Sequence, residues 1–396
     1  MESIFRTYNR KLRFVNLGFK RFIYDKIDWD ERLICLKGQR GVGKTTLMLQ
    51  HIKEHFSQPE KALYVSLDNL WFSANSLQTL VEYHYTHGGT HIFLDEVHKY
   101  EDWQTTLKNI YDDYPDLHIV YTGSSMLKIE SSLGDLSRRQ ACYVLPGLSF
   151  REFLQLEGVL DIPAVALDDL LTGHSGIAGD ITGKIKILPL FEQYLRHGYY
   201  PFYREAKTTF DQRLQDVCRQ VIESDIPAVE DISRSTLLKI KRLLMILAER
   251  VPYQPKMTEL YRELETNREQ GLKMLDTLQR AGLISLISYE PKNVRVLSKP
   301  DKILLDNTNL LHSLTGFGDK GTVRETFFNN QMSYGRSLAL DRAGDFRIDR
   351  RYIFEVGGAK KRFNQIKDLP DSYVAADDIE IGYGNKIPLW MFGLLY

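Results

Sequence analysis

Cysteine is scarce in this chain of 396 residues: Cys35, Cys142 and Cys218 are odd in number, far apart and form no C-x-x-C pair. That excludes a disulfide framework and a cysteine-based zinc site, and it fits a reducing, cytoplasmic compartment. Net charge is missing too. Lys plus Arg number 52 and Asp plus Glu number 52, so no whole-chain field draws in a polyanion; any affinity for nucleic acid has to be local. No stretch approaches about 18 consecutive apolar residues, which argues against a membrane-spanning helix and a membrane partner. Met1–Arg6 leads into no apolar run, so no signal peptide is expected. Repeats and low-complexity tracts are also lacking. What remains, 43% hydrophobic and 26% charged residues, is the balance of a globular chain of roughly two to four domains.

Against that plain background one stretch is highly specific. Gly38-Gln39-Arg40-Gly41-Val42-Gly43-Lys44-Thr45 spells the phosphate-binding pattern G-x-x-x-x-G-K-[ST]. Residues 32–37 ahead of it read as a short strand, and Thr46 onward reads as a helix. Glycines let the backbone wrap so that N–H groups face phosphate oxygens, and the helix N-terminus adds partial positive charge. The expected cradle is Gly38, Arg40, Gly41, Val42, Gly43, Lys44, Thr45 and Thr46. Lys44 is expected to reach the β- and γ-phosphates, and the Thr45 hydroxyl to ligate Mg²⁺. The implied ligands are ATP or ADP with Mg²⁺.

The stretch after the loop helix supports the same chemistry. Residues 61–68 read as a strand ending in an acid. His91-Ile92-Phe93-Leu94-Asp95-Glu96 then runs an apolar strand into two carboxylates. In that position Asp95 would hold the Mg²⁺ shell and Glu96 would polarise the attacking water. A helix is expected from Trp103 to Tyr114, with Trp103, Leu107, Ile110 and Tyr111 at helical spacing. Residues 117–125 form a further apolar strand ending in small polar residues. In ATPases with an added central strand this end carries a polar sensor, so Ser124 or Ser125 is a candidate; the same serines would also serve as a helix N-cap. Arg138 and Arg139 precede a strand at 141–145. They fit an arginine finger acting on a neighbouring subunit's nucleotide, which needs a homo-oligomer, or else a solvated pair. The N-terminal stretch to Glu31 mixes basic and aromatic residues, a composition that can contact nucleic acid but more often packs on the core.

The order of P-loop, strand, Leu94-Asp95-Glu96, Thr122-Gly123-Ser124-Ser125, Arg138-Arg139 and Leu148-Ser149-Phe150-Arg151-Glu152-Phe153 resembles a family of prokaryotic AAA-type ATPases. Members join this core to a winged helix and a C-terminal restriction-endonuclease-like domain. The resemblance implies an α/β P-loop NTPase fold (AAA-type, parallel sheet with an added central strand) followed by a helical lid, a winged helix and a small α/β nuclease-like domain. The expected boundaries are 1–151, 152–234, 235–298 and 299–396.

The later segments are read on that plan. Residues 168–184, carrying Gly173, Gly176, Gly179 and Gly183, are expected to form a loop, and residues 191–201 a helix closed by a Gly198 cap and Pro201. Helices at 237–250, 256–265 and 267–281, then strands at 283–288 and 294–297, make a winged helix. A Thr266–Glu269 capping box would open its third helix, and Gly282 would end it. That helix carries Arg268, Lys273 and Arg280 against Glu269 and Asp276, a thin surplus for phosphate contacts. DNA is thus an open partner, with packing between domains the stronger expectation. In the last domain Thr322–Phe328 reads as a helix, and 344–349 and 352–356 as paired strands. Asp345 and Glu355 stand where a nuclease holds its metal, and Glu325 could be an upstream helix acid. Gly357 occupies the place of the expected lysine, with Lys360 or Lys361 as substitutes, so we read a degenerate, non-cutting domain. Residues 389–396 are expected to be a core strand. Three functions follow: an ATP-hydrolysing protein whose nucleotide state repositions its other domains, an ATP-regulated Mg²⁺-dependent DNA nuclease, or a nucleotide-dependent switch or scaffold for a protein partner.

Overall fold

A computed structural model describes the chain except residues 59, 124–135, 137, 228–229, 231, 254–255, 290–298 and 317–318. It divides into two compact units, Met1–Gly147 and Leu148–Tyr396.

The first unit is an α/β layer. Its elements in order are α1 (Glu2–Phe14), β1 (Leu33–Lys37), α2 (Lys44–His55), β2 (Ala62–Ser66), α3 (Leu77–Thr86), β3 (His91–Asp95), α4 (Trp103–Asp113), β4 (His118–Gly123) and β5 (Ala141–Val144). The five strands are all parallel, in the order β2-β3-β4-β1-β5. β4 is thus inserted between β1 and β3, the added central strand expected from the sequence. Every residue of β1 is buried, which explains its nearly uniform apolar composition: both faces of the sheet are covered. The α4 helix buries Trp103, Leu107 and Ile110, the spacing that announces it. α1 buries Ile4 and Tyr8 and packs against β2 and α2, while Arg6, Arg10 and Arg13 stay exposed.

The second unit begins with helices: α5 (Phe150–Leu156), α6 (Leu167–Thr182), α7 (Ile187–Gln193) and α8 (Phe210–Gln220), then α9 (Arg234–Arg250), α10 (Met257–Glu263) and α11 (Arg268–Arg280). Ser149 and Glu152 form a capping box at the start of α5. Ser149 Oγ and Arg151 Nε also donate to the Tyr396 carbonyl, at 2.5 and 2.9 Å. The glycine-rich stretch expected to be a loop is α6. Leu167, Leu170, Leu171, His174, Ala178 and Ile181 form a buried helical stripe, and that burial outweighs the roughly 1 kcal/mol each interior glycine costs. Gly198 ends a π-helical turn, Tyr194–Gly198, without a left-handed cap; a Cβ there would lie 2.6 Å from Tyr194 and 2.8 Å from Phe153, so close aromatic packing is what requires glycine.

The α11 helix is capped by Asn267, whose side chain accepts from Gln270 N, one residue later than the expected Thr266 cap; Gly282 follows at φ 72. β6 (Ile284–Ile287) pairs antiparallel with β7 (Lys302–Leu305), which lies past the expected boundary at 298; the second strand expected at 294–297 falls outside the described residues. After α12 (Thr308–Thr315) and α13 (Lys320–Met332) come β8 (Leu338–Leu340), β9 (Phe346–Ile348), β10 (Tyr352–Gly357), β11 (Ser372–Ala376) and β12 (Lys386–Pro388). They form a sheet in the order β12-β11-β10-β9-β8, antiparallel from β8 to β10 and parallel from β10 to β12. Leu389–Leu394 is a buried 3-10 segment and not the strand its apolar run suggested; Trp390, Met391 and Phe392 are all buried, leaving no alternating face. Among the described residues no helix is long and apolar enough to cross a membrane.

Candidate functional site: the P-loop edge of the parallel sheet

The loop from Gly38 to Gly43 links the C-terminal end of β1 to the N-terminus of α2. Gly41 and Gly43 take φ 87 and 100, backbone that a side chain would strain. Arg21, itself buried, holds this corner: its guanidinium donates to Val42 O at 2.6 Å, Pro146 O at 2.8 Å and Gly147 O at 2.9 Å. Lys44 Nζ donates to Gly38 O and Gln39 O, both at 2.8 Å, so the ammonium lies over the loop. Thr46 is exposed at the first turn of α2. Arg40 Nη1 is buried and has no hydrogen-bond partner among the described residues.

The register of the sheet brings the acids to the same edge. Ser66 of β2 is level with Asp95 of β3, and Leu94 with Tyr121 of β4, which sets Thr122 beside Asp95. Three hydroxyls converge on the buried Asp95 carboxylate. Thr45 Oγ1 donates to Oδ2 at 2.6 Å, Tyr64 OH donates to Oδ2 at 2.8 Å, and Thr122 Oγ1 donates to Oδ1. Thr122 Oγ1 also accepts from Glu96 N at 3.3 Å. Burial, reinforced by Asp95, pushes the Tyr64 phenol far above its usual range, so it is a donor at any ordinary pH. Glu96 sits at φ 55, a left-handed conformation rare outside glycine, and its Oε2 lies 3.3 Å from Nε2 of His98. Thr45 and Asp95 are hard oxygen donors within reach of one another, a set suited to Mg²⁺ completed by phosphates and water.

Thr122, Tyr64 and His98 were not assigned roles from the sequence. Each reaches the acids through strand register or a turn, and only Thr122, next to the small polar end of its strand, gave a local hint. The sensor candidates Ser124 and Ser125 lie outside the described residues. Arg138 is exposed and Arg139 pairs with Asp112 at 3.3 Å. Ala141 is level with Ile34, so both arginines precede the N-terminal end of β5, whereas the P-loop follows the C-terminal end of β1. They therefore lie at the opposite end of the sheet from Lys44 of the same chain.

The C-terminal sheet carries the remaining candidate acids. Asp345, just ahead of β9, accepts from Val356 N at 2.7 Å. Glu355 of β10 is buried; its Oε1 lies 2.7 Å from Lys361 Nζ, and its Oε2 has no hydrogen-bond partner among the described residues. A Cβ at Gly357 would lie 2.8–2.9 Å from the Lys361 side chain, so Lys361 fills the space a residue 357 side chain would need. Glu325 of α13 pairs with Lys302 at 2.7 Å; burial, with Asp345 and Asp319 nearby, still raises its pKa. Among the described residues no three His, Cys, Asp or Glu side chains are grouped to hold a metal. On α11, Arg280 and Lys273 lie 2.5 and 3.7 Å from Glu230, and Arg280 also pairs with Asp276 at 2.8 Å.

Residues 30–154 match the family model described as an AAA domain, and residues 188–321 match a domain of unknown function (DUF8612). The parallel sheet and its P-loop are accordingly an AAA-type P-loop domain. An uncharacterized protein of Methanocaldococcus jannaschii is 29% identical, covering 93% of this chain and 86% of the relative. AMPPCP-bound DnaA from Aquifex aeolicus is similar at a TM-score of 0.26 and 17% identity, covering 69% of this chain and 87% of that one. The Hsp104–ADP complex of S. cerevisiae is similar at a TM-score of 0.27 and 16% identity, covering 71% and 39%.

Proposed function

We propose that this protein binds ATP at residues 38–46 and hydrolyses it, with Glu96 as the group that orients and polarises the attacking water. The observation that carries the reading is the meeting of loop and acids at one sheet edge: Thr45 Oγ1 lies 2.6 Å from Asp95 Oδ2, and Glu96 follows on a turn of its own. Phosphate oxygens would take up the N–H groups of Gly41 to Thr46, and the N-terminus of α2 favours their charge. Lys44 would exchange its two carbonyl partners for the β- and γ-phosphates. The buried Nη1 of Arg40, without a hydrogen-bond partner among the described residues, supports an anion at this corner. Mg²⁺ bound with the nucleotide would supply neutralisation of charge on the transferring phosphoryl group. Arg138 and Arg139 would serve a neighbouring copy's nucleotide, because their place in the sheet keeps them from their own.

In the same reading the nucleotide state sets the arrangement of the helical, winged-helix-like and nuclease-like segments of the second unit, which act on a partner. Glu230 pairs with two basic side chains of α11 and offsets that helix's surplus of one positive charge, which favours a packing role for the helix over a DNA-reading one. The second reading, an ATP-regulated nuclease, is favoured by one observation: Lys361 projects over Gly357 and reaches Glu355, so a lysine is present where the strand itself offers none. Asp345 and Glu355 would then hold the metal.

Turnover of ATP by the purified protein, with and without single- and double-stranded DNA, tests these readings together. The expected result is Mg²⁺-dependent turnover that Lys44→Ala abolishes and that Glu96→Gln blocks without loss of nucleotide binding. Turnover at the parental rate in Glu96→Gln would refute the assigned base. DNA cleavage lost in Glu355→Ala would establish the nuclease reading, and indifference to DNA would point to a protein partner.

A further inference from the structure

The Asp95 carboxylate is linked to a residue far from any nucleotide motif. Lys11 of α1 donates from Nζ to the Tyr64 hydroxyl oxygen at 3.0 Å, and the ammonium lies 4.8 Å from the centre of the Tyr64 ring. An ammonium can only donate, so the phenol oxygen is the acceptor and its one proton is free to point to Asp95 Oδ2, 2.8 Å away. The direction of both hydrogen bonds is therefore fixed: Lys11 to Tyr64, Tyr64 to Asp95. Chains of this kind polarise each member in a poorly screened interior. Lys11 is held in place because Ile4 and Tyr8, seven and three residues earlier on the same helical face, are buried against the sheet.

We propose that Tyr64 and Lys11 are positioning residues for the cation-holding carboxylate. Tyr64 fixes the rotamer of Asp95, Lys11 fixes the hydroxyl of Tyr64, and α1 thereby sets how well the P-loop site takes up Mg²⁺ with its nucleotide. Thr45 and Thr122 also hold Asp95, but Thr45 is itself a candidate Mg²⁺ ligand. A hydroxyl that ligates through a lone pair keeps its proton, so Thr45 would still donate to Oδ2 beside a cation, but its direction would then answer to that cation; the direction of the Tyr64 donor would not. Outer partners of this sort commonly contribute 10–100-fold to metal affinity.

The inference rests on the ATP-binding reading, and its test separates the two. A fluorescent non-hydrolysable ATP analogue is titrated into the full chain in EDTA, and then Mg²⁺ is titrated at fixed analogue. Tyr64→Phe keeps the buried ring and removes only the hydroxyl. It is expected to raise the Mg²⁺ midpoint about tenfold while leaving affinity in EDTA within about twofold. A merely structural defect would move both. Lys11→Met is expected to raise the midpoint about threefold, and the double variant to match Tyr64→Phe alone, because Lys11 acts through Tyr64. An unshifted midpoint in Tyr64→Phe, or additive effects in the double variant, would overturn the relay. No analogue binding by the parent protein would overturn the ATP-binding reading and the relay with it.

Discussion

Nε2 of His98 lies 3.3 Å from Oε2 of Glu96, and His98 is the fully covered member of the pair. The imidazole thus holds the carboxylate direction on a turn where Glu96 already carries an uncommon backbone angle. Glu96→Gln is expected to slow turnover about 10²–10⁴-fold, the usual worth of a positioned acid or base. His98→Ala should slow it about tenfold by releasing Glu96, with nucleotide affinity within about twofold. Steady-state turnover beside analogue binding checks both; unchanged turnover in His98→Ala would leave the pair without a role in positioning.

Arg139 pairs with Asp112 on the surface, so Arg139→Ala is expected to change folding stability by less than about 1 kcal/mol. As a finger toward a neighbouring copy it would nonetheless lower turnover about 10³-fold. Parental turnover should also rise with protein concentration more steeply than in proportion. Linear dependence on concentration together with an unaffected Arg139→Ala would remove the finger.

The Glu355 side chain is 2% exposed and Lys361 is its cation. Lys361→Met leaves a buried carboxylate uncompensated and is expected to cost about 3 kcal/mol in urea unfolding. Replacing both residues by methionine should recover most of that loss, since a buried pair exchanged for apolar side chains is often neutral. Equal stability of Lys361→Met and the parent would mean the pair is solvated.

His51 stacks on Trp29 with ring centres 3.8 Å apart, and burial, with repulsion from His55 and His91, lowers its pKa to about 3. Burial and His118 likewise lower His91 to about 4. Both are neutral in the fold and regain a pKa of about 6.5 when unfolded, so the unfolded chain binds more protons below that pH. The stabilisation is complete above about pH 6.5 and is lost as pH falls toward 3–4. At pH 5 the His51 share is about 2 kcal/mol at about 1.4 kcal/mol per pH unit. Unfolding at pH 7.5 and 5.0 should show this loss, and His51→Phe should reduce it by that share; an equal loss in the variant would exclude His51 as the cause.

What was legible in the sequence is what fixed spacing encodes. The P-loop, the Asp95-Glu96 end of β3 and the Trp103–Ile110 helix each depend on neighbours within a few residues. The α6 helix shows how a local signal misleads: four glycines suggested a loop, yet an apolar stripe at helical spacing decides the backbone. Tyr64, Thr122 and Lys11 were silent because they meet Asp95 only through the strand order and the docking of α1. Lys361 was one of two named substitutes, but only the packing over Gly357 distinguishes it from Lys360.

The bonds from Ser149 and Arg151 to the Tyr396 carbonyl also bear on synthesis. The Ser149 bond joins residues 247 positions apart, so α5 cannot be fastened until the segment carrying Tyr396 has left the ribosome. At ~5–20 residues per second that wait is roughly 12–50 s. The described strands of the first unit all lie within residues 33–144, so its sheet can pair far earlier. A nascent chain would therefore display a completed P-loop edge well before its second unit closes, and a chaperone that recognises exposed apolar helix would have α5 to hold in the interval.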